Sequence, residues 1–184
     1  MEQDSRISPL EAQIREGYGR LVYSHKTQEK CADIVHRRNS TIKIIQIILS
    51  ALTTCGIIAV IFSEGVVYDI LSSIVAFISL GVNLYLKEYD LGSIAQRHSD
   101  AANELWDLRE KYLSLLTDLN SGVSEDVVRV RRDELQERLK NVYKGSPRTN
   151  INAYNKARKG IIENEEMYFT NEELNNMLPD ALKK

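Results

Sequence analysis

The sequence predicts an all-α membrane protein: a two-transmembrane helical hairpin with long cytoplasmic helical extensions. Three observations predict it. Two charge-free apolar runs, Ile44 to Ser63 and Ile70 to Leu86, follow one another closely. Basic residues stand at the outer ends of these runs, and the connection between them has none. The segment after the second run keeps an apolar heptad spacing, and no strand-like alternation occurs anywhere.

The first run is twenty residues long. At a helical rise of about 1.5 Å per residue it spans ~30 Å, the thickness of a bilayer's hydrocarbon core. The second run has seventeen residues, and Val66, Val67 and Tyr68 extend it if Asp69 sits near the interface or faces away from lipid. The first run starts too far into the chain to be a signal peptide, and a second span follows at once.

Before the hairpin, Ser8-Pro9-Leu10-Glu11 marks a helix start: Ser8 caps, Pro9 suits the first helical position and Glu11 completes a capping box. Leu10, Ile14, Tyr18, Leu21, Ala32 and Val35 form one stripe on a helix expected to continue to about Arg38, with His25 and Gln28 interrupting it. The expected organisation is a single domain over 1–184. It divides into a cytoplasmic helix (1–43), transmembrane helix 1 (44–63), an extracytoplasmic turn (64–65), transmembrane helix 2 (66–86), a cytoplasmic heptad helix (87–120) and C-terminal helices (121–184). Arg37, Arg38, Lys43 and Lys87 flank the spans on one side, while the connection holds Glu64 and Asp69. The positive-inside rule therefore puts both termini in the cytoplasm.

Leu91, Ile94, His98, Ala101, Leu105, Leu108, Tyr112, Leu115 and Leu119 are separated by alternating steps of three and four, a coiled-coil-like seam that predicts self-association within or between chains. With no proline in 66–146, the second span is expected to run unbroken into a helix ending near Asn120. Ser121-Gly122 ends it. A helix capped by Ser124 is expected to reach about Lys144, followed by a turn at Ser146-Pro147, a helix over 152–167, and a short last helix opened by the capping box Thr170–Glu173. Trp106, beside the seam, is expected to pack on a neighbouring helix.

The second span carries one polar or small-residue face. Asp69, Ser72, Ser73, Ala76, Ser79, Asn83 and Lys87 occupy roughly a third of the helix circumference at 100° per residue. Such a face either lines a pore or packs helices closely, and both readings stay open here. Gln46, Ser50, Thr53 and Thr54 form a weaker stripe on the first span, and Cys55-Gly56 reads as a close-contact point. The sequence shows no catalytic motif: no phosphate loop, no nucleophile elbow, no zinc-protease pair. No metal or cofactor is expected, since Cys31 and His36 fall on different helical faces and no histidine pair has ligand spacing. With a net charge of −2 and acids interleaved among the basic clusters, no direct nucleic-acid binding is expected.

The order of parts resembles the SLATT family, bacterial two-transmembrane effectors associated with nucleotide-synthase (SMODS) and nucleotide-sensor (SLOG) domains. The resemblance rests on Tyr18-Gly19-Arg20-Leu21 and its helix, the tight hairpin, and the long helix through Leu105 and Tyr112. The tail Gly145-Ser146-Pro147-Arg148-Thr149-Asn150, with Ala153-Tyr154 and Glu165-Glu166-Met167-Tyr168-Phe169, is similar to the variant found beside reverse transcriptases. It implies a homo-oligomeric, pore-forming or membrane-disrupting effector of antiviral defence in the bacterial inner membrane. The partners it implies are membrane lipids, further copies of the chain, and a separate trigger protein such as a reverse transcriptase or nucleotide synthase. The alternative is a membrane anchor or scaffold that recruits a soluble enzyme through its cytoplasmic helices.

Overall fold

The computed structural model describes residues 7–62 and 66–183. Among them every regular element is helical: α1 (Pro9–Phe62), α2 (Val66–Glu88), α3 (Leu91–Asn120), α4 (Glu125–Gly145), α5 (Ile151–Ile162), α6 (Asn171–Met177) and a closing 3₁₀ turn (Asp180–Leu182). The expected turn at 64–65 lies outside the described residues. The chain forms two compact units, one of Met1–Lys30 with Asp100–Lys184 and one of Cys31–Ser99.

The helix ends follow local chemistry. At the start of α1 the Glu11 amide donates to Ser8 Oγ at 3.2 Å, which satisfies one of the amides that a helix start leaves without a partner. The helix expected to end near Arg38 continues through the first apolar run to Phe62, since no glycine or proline falls between Gly19 and Gly56. The second span, by contrast, does not run unbroken to Asn120. Tyr89 and Asp90 interrupt it, and Asp90 explains the break: its carboxylate accepts from the Ser93 amide at 2.9 Å, as an N-cap that restarts the chain as α3. Gly122, at φ +89°, takes the left-handed conformation that ends α3.

In the first unit, Leu10, Ile14 and Leu21 of α1 pack with Leu105, Leu108, Tyr112 and Leu115 of α3 and with Val128 and Leu135 of α4. Ile14, Leu21, Leu105, Leu108 and Val128 are completely buried. Gly17 is the close-approach point, since a Cβ there would lie 2.6 Å from Tyr112 Cε1. Trp106 remains half exposed because its neighbour Leu105 takes the inward direction.

The helix expected over 152–167 stops at Ile162. Glu165 takes φ 53°, and the chain folds back so that the Glu166 amide donates to the Gly160 carbonyl at 3.0 Å. Glu166 then meets Lys26 Nζ at 2.9 Å and Lys30 Nζ at 3.2 Å, over a glycine that leaves it room: a Cβ on Gly160 would lie 2.9 Å from the carboxylate. Hydrogen bonds from Lys26, Asn164 and Lys30 hold Glu166 down at about 2. Glu29 is also at about 2, through His25 first and Lys26 after it. Downstream, Thr170 and Glu173 form the full capping box of α6.

Candidate functional site: the apolar hairpin

The second unit contains the far half of α1, α2 and the start of α3. Its two apolar stretches are long enough to cross a membrane, and almost none of their residues is fully buried within the chain. Ile47, Ile61, Val66 and Phe77 are each two-thirds or more exposed. A continuous apolar surface of this extent is unfavourable in water at about 25 cal/mol per Å² and is satisfied in lipid.

The inner seam is heptad-spaced on both helices. Ile42, Gln46, Leu49, Thr53 and Gly56 of α1 are half-buried, and so are Ser72, Val75 and Val82 of α2, with Ser79 between them fully buried. Two contacts fix the antiparallel register. Gln46 Nε2 donates to Asn83 Oδ1 at 2.6 Å, and a Cβ on Gly56 would lie 2.8 Å from Ser72 Oγ. Small residues at such a contact let backbones approach, which supplies the packing energy that lipid-exposed helices need. Several hydroxyls return to their own backbone: Thr53 to the Leu49 carbonyl at 2.8 Å, Thr54 to Ser50 at 3.0 Å and Ser73 to Asp69 at 2.8 Å. At the basic end, the Arg38 guanidinium sits 5.9 Å from the Tyr85 ring centroid, and Tyr85 stacks on Tyr89 at 4.9 Å.

The polar face of the second span is thereby divided. Ser72 and Ser79 turn into the hairpin and Asn83, though exposed, bonds across it to Gln46, while Asp69, Ser73 and Ala76 stay exposed on its outer edge. Periodicity alone groups these six residues; only the direction of α1 separates them.

The heptad residues of α3 are also distributed. Leu105, Leu108, Tyr112 and Leu115 belong to the core of the first unit, Leu119 packs against its edge, and Ala101 is buried. Leu91 and His98 are buried, and burial lowers the His98 pKa, with Arg97 adding to the effect, so the neutral imidazole is favoured. Ile94 departs from the expected seam. It is 37% exposed, and the smaller Ala95 takes the inward position between Leu91 and His98. Cys31 and Cys55 are both free thiols. Among the described residues no group of three or more His, Cys, Asp or Glu side chains is placed to hold a metal ion.

Two apolar helices of membrane-spanning length are what a two-transmembrane domain requires. The model of SMODS and SLOG-associating 2TM effector domain family 4 (SLATT_4) matches residues 10–173. The chain belongs to this family. No curated protein and no solved structure matches it. The SLATT_4 match takes in both helices of the hairpin, the α3–α4 core and the capping box that opens α6. The domain is an effector associated with SMODS and SLOG systems and belongs to a membrane by the character of its two apolar helices.

Proposed function

We propose that this SLATT_4 chain is the membrane effector of a bacterial antiviral defence system, assembling in several copies to open pores in, or otherwise disrupt, the inner membrane when a partner signals infection. The observation that carries the reading is the outer edge of α2. Between Val66 and Leu80, Asp69 and Ser73 stand exposed among outward residues that are otherwise apolar or aromatic. The Ser73 hydroxyl returns to the Asp69 carbonyl, but the Asp69 carboxylate, in the first turn of α2, is costly against lipid and calls for another protein surface or for water. One hairpin cannot enclose water, and a pore takes several copies. With α3's inward side already covered within one chain, assembly through α3 would use its outer side, where Trp106 and Leu113 are exposed.

In this reading the protein is multi-pass with both termini cytoplasmic, because Arg37, Arg38, Lys43 and Lys87 lie at one end of the hairpin. The trigger comes from a separate sensor or nucleic-acid-synthesising protein, a nucleotide synthase or a reverse transcriptase, in keeping with the SMODS and SLOG association of the family. A scaffold reading draws on the same hairpin: Ser72 and Ser79 are engaged in packing and Asn83 in a bond across the hairpin, as an anchor requires. Induced expression together with the partner separates the two. Loss of membrane potential on triggering supports the effector. An unchanged potential with the partner recruited to the membrane supports the scaffold.

A further inference from the structure

The first unit has a groove, with polar side chains among a largely apolar lining, that the membrane reading does not use. It lies between α1, the end of α4, the connection 146–149 and α5, and has a volume of about 460 Å³, within the range of small-molecule sites. Its walls are held in place without a ligand. Gln28 donates to the Pro147 carbonyl at 3.1 Å and ties the connection to α1. Ser24 and Tyr143 share a hydroxyl hydrogen bond of 2.8 Å across the groove, and Asn150 caps α5 by accepting from the Ala153 amide at 2.9 Å.

The chemistry of the lining is one-sided. Arg148 is its only charged residue, and no carboxylate lines it. Elsewhere in this unit Arg15, Arg20, Arg109, Arg129, Arg131 and Arg138 are each paired with a carboxylate. Among the described residues Arg148 has no hydrogen-bond or ion-pair partner, so its five donors remain available. Thr149 beside it adds a hydroxyl, and Tyr23 and Tyr154, stacked with centroids 6.0 Å apart, form an aromatic wall.

We propose that this groove binds a small phosphate ester carrying a planar ring, with Arg148 and the Thr149 hydroxyl holding the phosphate and the tyrosine wall taking the ring. A guanidinium fork matches phosphate oxygens in pairs, and a tetrahedral phosphate has a further oxygen for hydroxyl donors that a planar carboxylate lacks. The absence of a lining carboxylate leaves the field of Arg148 uncancelled within the groove. The ring contact adds area that inorganic phosphate cannot supply.

Titration calorimetry on the full chain, solubilised in a detergent free of phosphate groups, tests this with phenyl phosphate, inorganic phosphate and phenol. Phenyl phosphate should bind roughly tenfold or more tightly than either fragment. Arg148→Gln, on an exposed connection where folding is not at stake, should weaken binding about tenfold or more, whereas Arg158→Gln, a cation of the same unit outside the groove, should leave it unchanged. Equal binding by wild type and Arg148→Gln, an equal loss in Arg158→Gln, or no binding of phenyl phosphate would overturn the proposal. The same titration in nanodiscs rich in phosphatidylglycerol identifies the source of the phosphate. Unchanged affinity supports a soluble ester, and abolished binding would assign the groove to a lipid headgroup instead.

Discussion

Gly56 of α1 and Ser72 of α2 meet so closely across the hairpin that a Cβ on Gly56 would stand 2.8 Å from Ser72 Oγ and 3.3 Å from its Cβ. The serine cannot move far without leaving the seam it shares with Val75 and Ser79. Gly56→Val is therefore expected to force the helices apart and destabilise the hairpin by about 1–3 kcal/mol, as over-packing does. Thermal denaturation in detergent should show this. Gly56→Ala should cost less, and combining it with Ser72→Ala should recover part of the loss by removing the hydroxyl. A double variant no more stable than Gly56→Ala would mean the two residues do not touch in the folded hairpin.

The core of the first unit makes a different demand on α3. Leu105 and Leu108 are fully buried among residues of α1 and α4 in the same chain. A charge at Leu105 would be buried without a partner, and even Leu105→Ala should cost about 2–5 kcal/mol through lost contacts and a cavity. Trp106→Ala, next in sequence but half exposed, should leave the melting temperature nearly unchanged. If Leu105→Ala melts with wild type while cross-linked oligomers disappear, the seam serves contacts between chains after all.

The hairpin and most helix ends were legible in the sequence because they rest on local chemistry. Charge-free runs of spanning length, a Thr170–Glu173 capping box and the Gly122 stop all act within a few residues. What was not legible depended on which of its possible partners a side chain takes, near or distant in sequence. Asp90 is an ordinary helix residue by pattern and becomes a break only because its carboxylate turns to the Ser93 amide. The end of α5 depends on Glu166 finding Lys26 and Lys30, more than a hundred residues away. The polar face of the second span follows periodicity correctly, but its division into packed and exposed edges requires the position of Gly56 and Gln46.

Glu166 also predicts a pH dependence. Its folded pKa of about 2 lies below the ordinary 4.5, held there by Lys26, Asn164 and Lys30. A depressed carboxylate stabilises the fold above its unfolded pKa, and that contribution is lost as pH falls from about 4.5 through about 2. Glu29, at about 2 through His25 and Lys26, loses its contribution over the same window. The melting temperature should fall across that range, with a shallower slope in Glu166→Gln and with a smaller difference between variant and wild type at the acid end. Parallel slopes would remove the Glu166 cluster as the source.

The sharpest consequence concerns the two edges of α2. Asp69, Ser73 and Ala76 point away from α1, whereas Ser72 and Ser79 are turned toward it. If the outer edge lines a conducting path, cysteines at Asp69, Ser73 and Ala76 should react with a membrane-impermeant thiol reagent once the protein is triggered, in a background without Cys55. Cysteines at Ile74 and Ile78, on the side of α2 turned away from that edge, should stay unreactive, since a thiol in hydrocarbon remains protonated. Ser73→Leu should reduce ion leakage at normal abundance, because a wider apolar wall favours dewetting. Ser72→Leu should instead lower the amount of folded protein, because the added bulk meets Gly56. Abundance and leakage must be read together: full leakage in Ser73→Leu, with labelling that ignores the helical period, would reject a pore lined by this edge.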